Sequence, residues 1–261
     1  MAKKKVGLAL SGGGARGFSH VGVLKVFAEN DIPIDYIAGT SAGSIVGAAI
    51  AAGMTVAEVI EMSKQITWPK MAGLSYSPKG MFSNLPMGRF IEERYPVKRF
   101  EDMKIPFAAI ACDLETGDEV VFRDTGDIAT AVRASCAIPG AFAPVPGPEG
   151  RPLVDGGVVS PMPADAVRSL GADIVIAVDL LNSGSTFTSS PWTLLGVFIQ
   201  SAMMIVRTAA RQQHYHADVV IIPKIAHLRM DQISKRDEFI RLGEEAAHEK
   251  IDEIKALIED K

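Results

Sequence analysis

An α/β fold, with a central and mostly parallel sheet flanked by helices on both faces, is what the sequence predicts. Three observations carry this expectation. Short apolar runs bounded by turn residues alternate with segments of helical periodicity from the first strand onward. Two late runs, "ADIVIAVDL" and "ADVVIIP", are again short and apolar, as buried strands are. No repeat or low-complexity linker divides the 261 residues, so the elements belong to one domain.

Taken in order, "KVGLAL" reads as a buried strand and "ARGFSHVGVLKVFAEN" as a helix. "IDYIAG" is a second strand, and "AGSIVGAAIAAG" a second helix closed by Gly53. Residues 68–90 are rich in Gly, Pro, Ser and Met with weak periodicity, which predicts a long loop or short helices near the surface, a frequent arrangement for a lid. "IPFAAIACDLETGDEVVF" reads as a hairpin turning at residues 115–118, and "DIATAVRASCAIP" as a helix ended by Pro139. "AFAPVPGPEGRPLVDGG" reads as another hairpin. The tail from Ser234 is an amphipathic helix with that serine as its cap.

Bulk properties narrow the function classes. With 48% hydrophobic and 22% charged residues the chain can build a sizeable core. A net charge of −4, with both signs spread along the chain, offers no basic patch for nucleic acid. Cys112 and Cys136 lie in apolar surroundings without CxxC or metal-ligand spacing, so they read as buried free thiols of a reducing cytosol, with no zinc site. The basic start "MAKKK" precedes an apolar run too short for a signal peptide, so export is disfavoured.

Two uncharged stretches raise the question of a membrane. Residues 36–57 carry Gly39, Gly43 and Gly47 at GxxxG spacing, but the polar Gly39-Thr40-Ser41 interrupts them, and the helical remainder is too short to span. In residues 181–206, Trp192, Leu195, Ile199, Met203 and Val206 fall near helical spacing. They read as a core-facing helix or, less simply, as an apolar wall that meets lipid chains.

Gly39-Thr40-Ser41-Ala42-Gly43 follows a predicted strand and opens a predicted helix. A nucleophile elbow needs this setting: small neighbours permit a strained turn that pushes the serine Oγ outward, and the helix N-terminus supplies positive potential. The bland alternative is a serine capping a helix between glycines. In a parallel sheet, loops at the carboxyl ends of neighbouring strands share one edge, so the loop Gly12-Gly13-Gly14-Ala15-Arg16-Gly17 can meet Ser41 there. Its backbone N–H groups can approach a developing oxyanion, each donor being worth about 3 kcal/mol. Arg16 either fixes the loop, adds charge or is only solvated. A dinucleotide fingerprint also fits the glycines, but Asp35 begins the second strand instead of ending it, and a Walker loop is excluded because no Gly-Lys-Ser/Thr follows.

The residues alone leave the base open. His20 shares a face with Leu24 and Phe27 and reads as a core histidine. A triad of Ser41, Asp179 and His214 or His227 follows the hydrolase order, but an α/β-hydrolase places several strands before its elbow and here only two precede it. Asp155 of "VDGG" is a weak base, with an unperturbed pKa of about 3.9, yet it can accept a proton as attack proceeds.

The glycine loop, the Ser41 motif and Asp155-Gly156-Gly157, in that order, are similar to the three motifs of the patatin-like phospholipases. "RASCAIPGAFAPV" resembles the family's link between nucleophile and acid. The resemblance implies a Ser-Asp dyad without histidine, Ser41 as nucleophile and Asp155 as base. Gly12, Gly13, Gly14, Arg16 and Gly17 would form the oxyanion loop, Gly39 and Gly43 the elbow, and Gly156 and Gly157 the acid motif's turn. The expected organisation is a patatin-like catalytic domain over residues 5–223 with residues 224–261 a C-terminal helical extension on the same domain.

The implied activity is that of a cytoplasmic lipid acyl hydrolase of the phospholipase A, lysophospholipase or carboxylesterase type, using no metal or cofactor and peripheral to the inner face of the membrane. Acyl transfer or thioester cleavage would use the same acyl-enzyme. A regulatory adaptor that keeps the fold is the reading from another class. Transient membrane contact is expected through residues 71–82 or 192–206, which read equally well as core or lid. Residues 68–90 do not match the family position by position, so the acyl pocket stays open.

Overall fold

Strand residues alternate between large and small side chains, and the alternation decides how each face is covered. In the computed structural model, which describes residues 4–183 and 194–259, β1 (Val6–Leu10), α1 (Phe18–Glu29), β2 (Tyr36–Thr40) and α2 (Ala42–Ala51) form the expected β-α-β-α opening. A 3₁₀ turn, Gly14–Gly17, leads into α1. Then come α3 (Val56–Ser63), started by a capping box of Thr55 and Glu58, and α4 (Trp68–Met71). A minimal hairpin of β3 (Gly73–Leu74) and β4 (Phe82–Ser83) precedes α5 (Leu85–Arg94). Residues 68–90 are thus short helices around a small hairpin.

β5 (Phe107–Asp113) and β6 (Glu119–Phe122) make the first predicted hairpin, and after α6 (Ile128–Ser135) the strands β7 (Val145–Pro146) and β8 (Pro152–Asp155) make the second. α7 (Ala164–Leu170), β9 (Ile174–Val178), α8 (Leu194–Gln213) and β10 (Val219–Ile221) complete the sheet, and α9 (Arg236–His248) and α10 (Ile251–Glu259) end the chain.

The strand order is β10-β9-β1-β2-β5-β8-β7, with β6 on the other edge of β5. The pairs from β10 to β5 are parallel, and those of β5 with β6 and β8, and of β7 with β8, are antiparallel. Val6, Leu8, Leu10, Ile37, Phe107, Ile174 and Ile176 point into the larger core with α1, α2, α6 and α9. Ala9, Ala38, Ala108 and Ala177 point to the opposite face. The small side chains there let α7 and α8 approach closely; a Cβ on Gly7 would lie 2.1 Å from Val167 Cγ1.

Three local expectations need correcting. The helix after Asp127 closes at Ser135, before Pro139, and just beyond it the carbonyl of Ala137 accepts Asp155 N–H from the end of β8. Ser234 caps nothing: it lies inside a 3₁₀ turn, Ile233–Lys235, and α9 begins after Lys235 without a side-chain cap. The tail is two helices, broken around Glu249 and Lys250, instead of one. Residues 36–57 form a strand, a turn and short helices, and no described helix is long and apolar enough to cross a membrane.

Candidate active site

Ser41 sits between β2 and α2 with φ 52° and ψ −124°, a conformation that a non-glycine residue adopts only under constraint. Its neighbours allow it. A Cβ on Gly39 would lie 2.4 Å from the carbonyl oxygen of Gly43, and one on Gly43 would lie 2.1 Å from that of Leu10. The turn is also held by side chains: Ser41 N–H donates to Ser135 Oγ at 2.9 Å, and Ser44 Oγ donates to Ser41 O at 2.6 Å.

Asp155 reaches this serine through a feature of the sheet. β5 is longer than β2, and its residue Ile110 pairs with Thr40, the last residue of β2. The next residue, Ala111, pairs with Asp155, the last residue of β8. Since β6 runs along the opposite edge of β5 over the same residues, β2 and β8 must share one edge and meet end to end. Ser41 Oγ donates to Asp155 Oδ2 at 2.6 Å. The other carboxylate oxygen accepts Gly157 N–H at 2.8 Å, and a Cβ on Gly156 would lie 2.3 Å from Ile110 O. Both side chains are buried. Burial pushes the Asp155 carboxyl up to about 6, while the Ser41 hydroxyl and the Gly157 N–H pull it back down.

The glycine loop lies against the serine: a Cβ on Gly12 would be 3.3 Å from Ser41 Cβ, and one on Gly17 would be 2.6 Å from Ala42 Cβ. Its amides divide into two groups. Gly12 N–H donates to Pro161 O and Ala15 N–H to Met230 O, whereas those of Gly13, Gly14 and Ala42 meet no acceptor among the described residues. Gly14 has φ +58° and would drive a Cβ to 2.7 Å from Met230 O. Arg16 is fully buried and donates to Leu180 O and, through two nitrogens, to Leu228 O. Burial and the nearby Arg207 push its guanidinium down to about 10. The solvated alternative for Arg16 is thereby ruled out, and the side chain ties the loop to the chain just after β9 and to the C-terminal segment.

The histidines go elsewhere. His214 Nε2 lies 2.7 Å from Asp179 Oδ2, so that pair of the hydrolase-type alternative exists, but the hydroxyl of Ser41 is donated to Asp155. His227 pairs with Glu238. His20 is fully buried with Nε2 2.9 Å from Ser11 O, and its burial pushes it down to about 4. Asp35, the residue weighed for a ribose, binds Lys5 and the Val6 N–H at the amino end of β2, the opposite end of the sheet from the glycine loop. Among the described residues no cluster of His, Cys, Asp or Glu is arranged to hold a metal ion.

Ser41 opens onto a cavity of about 850 Å³, within the size range of small-molecule sites. Its walls are almost wholly apolar, with Phe18, Val46, Met62, Met71 and Phe142 among them, and among the described lining residues Asp231 alone is charged. Cys136 also lines it, 3.8 Å from Ser44 Oγ, its thiol pushed up by burial. Met203 of α8 contributes a wall and Val206 packs on the smaller core; Trp192 and the side chains of Leu195 and Ile199 lie outside the described residues. Sequence reasoning missed Ala42 N–H, Ser135 and the Leu228–Met230 carbonyls. The first follows from the elbow pattern, since the residue after the nucleophile donates there. The others carry no local signal.

The comparisons with known proteins agree with this architecture. The family model described as "Patatin-like phospholipase" matches residues 8–168. Patatin-like phospholipase domain-containing protein 6 of Homo sapiens is 36% identical over 203 residues, covering 73% of this chain but 15% of that protein. An NTE family protein of Mycobacterium bovis is 37% identical over 182 residues, 69% of this chain and half of its own length. The chain therefore spans half or less of these relatives. Among solved structures, VipD from Legionella pneumophila superposes with a TM-score of 0.58 at 13% identity, covering 97% of this chain and 67% of that one. The type III effector protein ExoU gives 0.52 at 14%, covering 97% and 53%. These two share the fold, and with the family match extending from β1 through most of α7, the chain belongs to the patatin-like phospholipase family.

Proposed function

We propose that the protein is a serine lipid acyl hydrolase that works through Ser41 and Asp155. The observation that carries this is the 2.6 Å hydrogen bond that Ser41 Oγ, at the wall of a large apolar cavity, donates to the buried carboxylate of Asp155. In the proposed reaction the Ser41 hydroxyl proton passes to Asp155 Oδ2 as Oγ attacks the ester carbonyl carbon. The oxyanion is met by the amides of Gly13, Gly14 and Ala42, which meet no acceptor among the described residues. Collapse breaks the ester bond, Asp155 returns the proton to the leaving alcohol, and Ser41 holds the acyl group. A water then gives its proton to Asp155, its oxygen attacks the acyl carbon, and the fatty acid leaves as Ser41 recovers its proton.

A carboxylate suits this cycle because its raised affinity for a proton makes it a better base than an exposed aspartate, and its place on β8 keeps it aimed at Oγ. The experiment is hydrolysis of a panel of phospholipids, lysophospholipids and short esters, with fluorophosphonate labelling in parallel. Ser41→Ala should lose labelling and at least roughly a thousandfold in kcat/KM. Asp155→Asn should lose roughly a hundredfold or more. Full activity in either variant overturns the dyad, and absence of labelling in folded wild type favours the adaptor. Products carrying an added alcohol acceptor would indicate acyl transfer.

A further inference from the structure

The mouth of the cavity is rimmed by side chains that have no business in water. Leu74 and Tyr76 on the β3–β4 hairpin are 80% and 99% exposed, and Met81 is 61% exposed. Trp68, Phe82, Leu85 and Ile138 are exposed beside them. Four of the seven, Trp68, Leu74, Phe82 and Ile138, also line the cavity, so the patch and the cavity wall are one surface. The hairpin is anchored to it: Phe82 N–H donates to Ala141 O, Ala143 N–H donates to Phe82 O, and the Phe82 and Phe142 ring centroids are 6.3 Å apart. On the other side Met203 lines the cavity while Met204 and Ile205, next along α8, are exposed.

The charges of these rim segments have one sign. Between Glu61 and Glu92 the charged residues are Lys64, Lys70, Lys79 and Arg89, and between Asp179 and Asp218 they are Arg207 and Arg211, in a chain whose net charge is −4. The acidic residue that does line the cavity, Asp231, is paired with Arg229 at 2.9 Å. Lys70, Lys79 and Arg89 are exposed beside the apolar side chains.

We propose that this rim docks the protein on the surface of an anionic lipid bilayer, with the hairpin and α4 in the interface and the cavity mouth facing the lipid. Tryptophan and tyrosine favour that boundary because one end of each ring is apolar and the other polar. Each lysine near an anionic surface adds attraction that salt screens. A second copy of the chain fits worse, since a two-fold contact would set the patch, with its basic residues, against itself. The choice of a bilayer rests on the lipid-hydrolase reading, while docking is measured without turnover.

The test is flotation with vesicles of phosphatidylcholine containing about 30 mol% phosphatidylglycerol, against vesicles of phosphatidylcholine alone. Wild type and Ser41→Ala should float with the anionic vesicles, more weakly as salt is raised. The double variant Tyr76→Ser with Met81→Ser, at positions outside the cavity wall, should bind at least about tenfold more weakly. Lys70→Glu with Lys79→Glu should lose the preference for anionic vesicles. Both should keep the wild-type thermal midpoint and turnover of a soluble short-chain ester. Wild type that stays unbound, variants that bind equally, or a vesicle-free dimer that the serine variant dissociates would each overturn the proposal. Vesicle binding by a protein that cleaves no ester would leave docking standing and remove the hydrolase reading.

Discussion

At Asp155, the proposed role as base and the contribution to stability pull in opposite directions. Its carboxyl titrates at about 6 in the fold against an ordinary value of 3.8, so the folded chain holds this proton more tightly than the unfolded one. The stabilisation is therefore complete below about pH 4 and fades as pH rises through 6, a loss of about 3 kcal/mol from this group. In the proposed mechanism catalysis runs the other way, because Asp155 as the base must be ionised. Turnover of a soluble ester should fall as pH drops through 6 and level off above it, as a pH profile of kcat/KM will show. Asp155→Asn removes the titration: the difference in unfolding free energy between variant and wild type should shift in the variant's favour between pH 4 and pH 8, measured by urea denaturation.

Helices α1 and α9 cross more closely than side chains normally permit. A Cβ on Gly22 would lie 2.0 Å from Ile240 O, and one on Gly243 would lie 2.1 Å from Ser19 O, so each helix meets the other's backbone at a glycine. A methyl at either site forces the pair apart, and overpacking of this kind costs typically about 1–3 kcal/mol and occasionally more. Gly22→Ala and Gly243→Ala should each lose at least about 2 kcal/mol in urea denaturation. Because α1 continues directly from the Gly14–Gly17 turn, kcat should fall with stability in the same variants. The α1 glycine is visible in the sequence, but its partner is 221 residues away, and neither carries a helix-period signal.

Across the whole molecule, the glycine loop is completed by the far end of the chain. Arg16 donates to Leu228 O, and Ala15 N–H to Met230 O, while α9 covers α1. Deletion of residues 224–261 would take the Leu228 carbonyl from the buried guanidinium, which keeps Leu180 O, and the Met230 carbonyl from Ala15 N–H, and would expose the α1 face. A buried charged group that loses a hydrogen-bond acceptor costs about 1–3 kcal/mol or more, and the apolar face of α1 left open adds to that. The truncated chain should fail to give a cooperative thermal transition. A truncation at 223 that melts cooperatively would show that the tail is an accessory to a fold complete without it.

Local chemistry made much of this protein readable in advance. Strands β1, β2, β9 and β10, helices α1 and α2 and both hairpins announce themselves through apolar runs and turn residues, because burial between two helical layers demands them of each segment separately. Gly39, Gly43 and Ser41 are equally legible, since the tight turn needs its small residues within one short stretch. The juxtaposition of Ser41 with Asp155 is of another kind. It depends on β8 running antiparallel into the end of β2 along β5, a register that joins residues 114 apart and leaves no periodic trace. The same holds for Arg16, whose burial follows from carbonyls supplied by Leu180 and Leu228. The apolar rim is legible in part: residues 68–90 read as a surface loop or lid, while which of their side chains stay uncovered is decided by the fold. Segment identity follows from neighbours in the chain; a site assembled from strand ends follows from pairing over long separations, which physics settles only once the sheet has closed.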